Sequence, residues 1–210
     1  YGCWPNLYAI RGSQYRDIAA WVDSLDRILS YRPKVLLPGH TLPVFGEEEI
    51  QTVLGNFRGA IQSVLLQTLD CMNRGMDMLE AAEEVKLPEE YRDLPYLQEF
   101  YGTVSWTVKG IYAGYVGWFD GNPVHLDPVP RRRYAGEVLG LIGNVETVKA
   151  RVRELYDAGD YQMGLELCEL LENGGHPVKE LKKEGLLAIA KTVTSANARH
   201  YYLACGKELE

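Results

Sequence analysis

His40 is the histidine of this sequence best placed to do chemistry. It lies in Pro38-Gly39-His40-Thr41-Leu42-Pro43-Val44-Phe45-Gly46, a run dense in turn formers directly after the apolar Val35-Leu36-Leu37. Loops at the carboxyl ends of strands are where α/β sheets carry their sites. A neutral imidazole there can ligate zinc. As a turn residue it can equally bond to the backbone. Arg11 closes a second apolar run, Leu7-Tyr8-Ala9-Ile10, and precedes Gly12. A guanidinium at such a position can hold a sulfate or carboxylate by two parallel hydrogen bonds, or it can pair with Asp17 or another carboxylate. His125, His176 and His200 share no i,i+4 or HxH spacing and read as surface or capping residues. Cys3, Cys71, Cys168 and Cys205 form no CxxC pair; they read as small buried apolar groups and do not fix a redox compartment. GxSxG, P-loop and HExxH motifs are absent, as is a GxGxxG at a strand–helix junction. The chain holds no complete catalytic set.

The elements that must position these residues are mostly helical. Residues 7–10 read as a buried strand. Ile18, Trp21, Val22, Leu25, Ile28 and Leu29 recur at helical spacing up to Pro33, and 35–37 reads as a second short buried strand. Strand, helix and strand make one βαβ-like unit, too little for a sheet of its own. From Glu47-Glu48-Glu49, whose carboxylates suit a helix N-terminus, a helix is expected over 47–74 with Gly75 to stop it. A shorter one is expected over 77–85, with a turn over 91–95. Residues 97–119 are aromatic, nearly uncharged and carry Gly102, Gly110, Gly114 and Gly117. Gly110 and Gly114 share one helix face, so this is either an ordinary core helix or one that another helix approaches closely, within or between subunits. Asp120-Gly121-Asn122-Pro123 signals a turn. Helices are expected over 132–142, 145–158, 160–173, 177–193 and 195–208, with Gly159-Asp160 a stop followed by an N-cap. The last four pair into two hairpins offset by about 32 residues, similar to tetratricopeptide arrays.

The 210 residues carry a net charge of -7, which argues against nucleic acid as the main partner. Arg131-Arg132-Arg133 is too short a run to change that and reads as a solvated face or helix-end contact. No stretch reaches the ~18 apolar residues of a membrane span. The chain opens without Met at what reads as the middle of a domain.

Several runs, in order and across nearly the whole chain, resemble the alkyl sulfatases of the metallo-β-lactamase superfamily. Asn6-Leu7-Tyr8-Ala9-Ile10-Arg11-Gly12-Ser13 with Arg16-Asp17 and Trp21 is similar to that family's N-L-Y-T-L-R-G-A…R-D…W. Residues 38–46 resemble the loop holding its last zinc-ligand histidine. Tyr101-Gly102-Thr103-Val104-Ser105-Trp106, and Tyr112 through Asn122-Pro123, resemble G-S-V-x-W…I-Y-x-G-Y-x-G-W-F-D-G-N-P. Asn197-Ala198-Arg199-His200-Tyr201-Tyr202-Leu203 resembles N-A-R-N-Y-Y-L. The resemblance implies a mostly α chain: residues 1–46 the C-terminal remnant of an αββα catalytic domain, and 47–210 an all-helical dimerisation domain with tetratricopeptide-like hairpins. It implies His40 as a zinc ligand, Arg11 and Asn6 as sulfate-binding residues, two zinc ions per full-length subunit, a small anionic ester substrate and a homodimer. The HxHxDH motif lies upstream in that family, so activity is expected of the full-length hydrolase and not of this chain alone. One position departs: Pro5 stands where the family commonly has a His thought to protonate the leaving oxygen. That leaves two alternatives, a superfamily hydrolase of other specificity and a non-catalytic helical dimerisation or interaction module.

Overall fold

Helix α1 (Ile18–Ser30) starts at Asp17, whose carboxylate accepts from the Ala20 N–H at 3.1 Å and satisfies one of the donors that a helix start leaves unpaired. It is one of ten α-helices found among residues 2–8, 10–12 and 14–209, which the computed structural model describes. The only sheet among those residues has two strands. The chain is therefore mostly α, as expected, and it divides into two compact units, Tyr1–Gly121 and Asn122–Glu210.

In the first unit, α1 buries Ile18, Val22 and Leu25, while Trp21 and Ile28 face outward. It packs on α2 (Glu47–Asn73), whose long apolar stripe includes Ile50, Phe57, Ile61 and Val64. A forked ion pair from Arg58 to both oxygens of Asp26, at 2.9 and 2.8 Å, joins the two helices. Gly75 follows α2 at φ 76°, a left-handed conformation glycine adopts without strain. Between α1 and α2 lie β1 (Val35–Leu36) and β2 (Val44–Phe45), antiparallel with Val35 opposite Phe45. The βαβ-like unit is thus absent, and a hairpin stands in its place. Its strands are not buried: Leu42 is 82% and Phe45 67% exposed, and Val35 and Leu37 are exposed too.

The expected strand over residues 7–10 does not form either. Leu7 and Tyr8 are buried, as their apolar character requires, but they lie in irregular chain; Ala9 falls outside the described residues. Their neighbour is the stretch before and within α5 (Val104–Tyr115), not a sheet. The Trp4 N–H donates to the Gln98 carbonyl at 2.8 Å, and the Trp4 indole donates to Thr107 Oγ1 at 2.9 Å. The glycine face of α5 receives this segment, not a second helix. A Cβ on Gly110 would stand 3.1 Å from the Leu7 carbonyl oxygen, and one on Gly114 would enter the Tyr15 ring. Helix α3 (Met78–Glu84), opened by a capping box of Asp77 and Glu80, packs on α5, and the Tyr112 hydroxyl donates to the Met76 carbonyl at 2.8 Å. A short helix α4 (Glu89–Arg92) occupies the start of the expected turn.

The second unit follows the sequence signals closely: α6 (Arg131–Ile142), α7 (Val145–Asp157), α8 (Tyr161–Asn173), α9 (Lys179–Thr192) and α10 (Ala196–Glu208). Asn144, Asp160 and Ser195 cap α7, α8 and α10. Helices α7 with α8, and α9 with α10, form the two hairpins. Its core joins Leu139, Val152, Cys168 and Leu171 to Tyr156. The Tyr156 ring stands over Gly164 and Gly185, and its hydroxyl donates to the Leu181 carbonyl at 3.0 Å. Burial pushes the Tyr156 phenol well above its ordinary pKa. Cys71 and Cys168 are buried as expected, Cys3 is half-buried, and Cys205 is exposed, contrary to the apolar reading of all four.

Candidate anion and metal site

The candidate residues come from two irregular stretches of the first unit, residues 2–12 and the loop after β1. The loop turns through Thr41 at φ 76°, and His40 is exposed on it. Its base is closed by the Gly46 N–H donating to the Lys34 carbonyl at 3.0 Å. The loop packs against the start of residues 2–12: Gly2, at φ 116°, presses on Thr41 so closely that a Cβ there would lie 2.3 Å from Thr41 Cγ2. The chain folds so that the stretch bearing Asn6 and Arg11 begins beside the loop bearing His40.

Arg11 has no carboxylate partner among the described residues. Asp17, the partner the sequence offered, is committed to the cap of α1. The Arg11 guanidinium instead donates to the Tyr101 hydroxyl at 3.4 Å. An exposed cation with a neutral partner keeps its charge available to an anion. Asn6 lies on the same stretch. Its Oδ1 is buried without a hydrogen-bond partner among the described residues, and its main-chain carbonyl accepts from Arg16 Nη1. Pro5 contributes only its carbonyl, which accepts from the Leu7 N–H at 3.1 Å and faces Gly102.

Tyr8 ties this stretch to α5. Its ring meets Trp106 edge-on at 5.1 Å, and its hydroxyl donates to the Tyr101 carbonyl at 3.4 Å. Beside it runs an open cleft of about 480 Å³ whose walls include Tyr8, Ile10, Tyr15 and Trp106, with Arg16 and Lys109 the two cations on it. Such a cleft accepts an apolar body bearing negative charge.

Among the described residues no group of three or more His, Cys, Asp or Glu side chains converges to hold a metal ion. His40 can supply one ligand, and the described residues do not by themselves make a metal site. His125, His176 and His200 lie elsewhere, in the second unit. The partners Tyr101 and Arg16 were missing from the candidates read in the sequence; Tyr101 stands directly before the glycine of the aromatic block and Arg16 directly before the cap of α1, which are their only local signals.

The alkyl sulfatase dimerisation family matches residues 77–210. Along 98% of its length the chain is 37% identical to a linear primary-alkylsulfatase of Pseudomonas sp. (strain ATCC 19151), covering 40% of that protein. It is 30% identical to an (R)-specific secondary-alkylsulfatase of Pseudomonas sp., covering 32%. The structure of the stereoselective inverting sec-alkylsulfatase Pisa1 from Pseudomonas sp. superposes with a TM-score of 0.90 at 29% identity, over 99% of this chain and 34% of that one. The chain thus spans 32% to 40% of the length of these relatives. No helix among the described residues is long and apolar enough to cross a membrane.

Proposed function

This chain belongs to the alkyl sulfatase dimerisation family, and we propose that it works as part of a longer zinc-dependent hydrolase of alkyl sulfates or related anionic esters. The observation that carries this reading is Arg11. It is an exposed guanidinium with no carboxylate partner among the described residues, on a stretch that packs against the loop of His40 and lines an apolar cleft through Ile10. In this reading Arg11 and Asn6 bind the sulfate and the cleft takes the apolar body of the ester. His40 is one ligand of a zinc site whose other ligands lie outside these 210 residues. Zinc, when bound, supplies Lewis-acid charge to the ester. Residues 1–46 are then the last part of the catalytic domain, and the exposed apolar hairpin is the face it turns to the rest of that domain.

Metal analysis tests this on the protein that carries this chain together with its upstream residues. About two zinc ions per subunit are expected, with loss of at least one in His40→Ala. Unchanged zinc content in that variant removes His40 from the site and the hydrolase reading with it.

Assembly is the second part of the proposal: the chain forms a homodimer. The second unit exposes Leu141 at 89%, and Val124, Tyr134 and Ile142 with it, which is much apolar surface for one small unit to leave in water. Sedimentation of the chain at tens of micromolar should give a dimer, weakened in Leu141→Glu; a monomer at that concentration rejects it.

Pro5 favours a narrower alternative. A prolyl residue carries no proton to give the leaving oxygen, so a hydrolase with a better leaving group, or a non-catalytic assembly module, stays in play. A zinc-loaded protein inert toward alkyl sulfates but active on aryl sulfates would select the former; one without bound zinc would select the latter.

A further inference from the structure

The anion-binding residues Asn6 and Arg11 belong to a stretch with no secondary structure of its own. A loop of that kind samples many conformations unless side chains from elsewhere hold it. Two of the side chains that hold this one each act on a candidate binding residue. Arg16, half-buried on the wall of the cleft, donates from Nη1 to the main-chain carbonyl of Asn6, ten residues back in sequence. Neither a carboxylate nor any other described side chain pairs with Arg16; the guanidinium is held by that carbonyl. At the other end, Tyr101 accepts the Arg11 guanidinium on its hydroxyl.

Tyr101 is itself fixed from behind. Its carbonyl receives the Tyr8 hydroxyl at 3.4 Å. Gly102, next in sequence, lies so near the chain that a Cβ there would stand 2.4 Å from the Pro5 carbonyl oxygen and 2.9 Å from the Tyr8 ring. The Gly102 N–H donates to the Trp4 carbonyl at 3.4 Å. Tyr101 lies within the part of the chain that matches the dimerisation family, and Arg11 lies before it.

We propose that Arg16 and Tyr101 are positioning residues of the anion site, the first setting the backbone at Asn6 and the second aiming the guanidinium of Arg11. The matched family region would then do more than assemble subunits: through Tyr101 it shapes the site that binds the charged group of the ester. This rests on the proposed function, since it needs Arg11 to bind that group.

The test uses the zinc-loaded protein that carries this chain with its upstream residues, with an alkyl sulfate as substrate and inorganic sulfate as competitive inhibitor. Removing an aiming contact weakens binding in the ground state and transition state alike, so the loss falls on KM and not on kcat. Tyr101→Phe and Arg16→Ala should each raise KM and the inhibition constant for sulfate about 10-fold, the size of one hydrogen bond to a charged group. Arg16→Lys, which can still donate to one carbonyl, should recover most of the loss. A merely structural role would lower the active fraction, reducing kcat with KM and the inhibition constant unmoved; that result overturns the proposal. Arg11→Ala separates the two failures. If it leaves sulfate inhibition unaltered, the anion site itself is wrong. If it weakens inhibition while Tyr101→Phe and Arg16→Ala do not, the site stands and the positioning roles fall.

Discussion

The two units of this chain are built by different means. In the second, Asn122–Glu210, three of the five helices, α7, α8 and α10, open on a side-chain cap acting within one turn of itself. Asp160 caps α8 through the Met163 N–H at 3.2 Å, directly after Gly159 has ended the preceding helix at φ 82°. Ser195 and Asn144 do the same for α10 and α7. In the first unit the decisive contacts join residues some ninety to a hundred positions apart, such as the Trp4 indole on Thr107 and the Arg11 guanidinium on Tyr101. Regular helices with local caps make a self-sufficient scaffold. The candidates Asn6, Arg11 and His40 all lie instead on irregular chain, where Arg16 holds the backbone at Asn6 and Tyr101 meets Arg11.

The sharpest way to break this contrast is Gly102→Ala. The new methyl group would collide with the Pro5 carbonyl and the Tyr8 ring, both part of the chain that bears Asn6 and Arg11. Backbone on one side and a ring edge on the other leave little room to relax, so a loss of about 3 kcal/mol is expected, at the upper end for overpacking. All four tryptophans, Trp4, Trp21, Trp106 and Trp118, lie in the first unit. Urea unfolding followed by tryptophan fluorescence therefore reads that unit selectively. A midpoint within the error of the parent would show that residues 2–12 are not seated on Gly102 as described.

Legibility in the sequence followed the same division. Helices α6 to α10 were readable to within two residues at each end, because glycine stops, aspartate and asparagine caps and 3.6-residue periodicity are local signals. Helix α2 was readable for the same reason. The two apolar runs of the first unit misled. Leu7 and Tyr8 were read as a strand because a short apolar run shows only that a segment is buried, not what covers it; here α5 covers it. Val35 and Leu37 were read as buried for want of any sign that they would form an exposed hairpin. The glycines of α5 were read either as part of an ordinary core helix or as the face of a helix–helix contact; Leu7, Tyr8 and Tyr15, from irregular chain, pack there instead of a second helix. The site was legible only as separate candidates: His40, Arg11 and Asn6 by type and place, with Arg16 and Tyr101 present in the runs that carry the resemblance but given no role, because their partners are set by tertiary contact.

A smaller effect probes the second unit, where one side chain departs from its local rule. Tyr156 leaves the α7 surface to stand on Gly164 of α8 and Gly185 of α9 and to donate to the Leu181 carbonyl. Tyr156→Phe keeps the ring and removes the hydrogen bond, so a loss of about 1 kcal/mol is expected near neutral pH. The pH dependence sharpens the assignment. The folded-state pKa of this phenol is raised, by burial first and by its bond with Cys168 next. Below about pH 10, the ordinary tyrosine value, folded and unfolded chains both hold the proton and the stability is complete. Above it the unfolded chain releases the proton while the folded chain retains it, so stability falls as pH rises. Thermal unfolding followed by far-ultraviolet circular dichroism should show a steeper decline above pH 10 in the parent than in Tyr156→Phe, so that the two curves converge. Parallel curves would mean that the phenol titrates alike in both states and is not sealed between the two glycines.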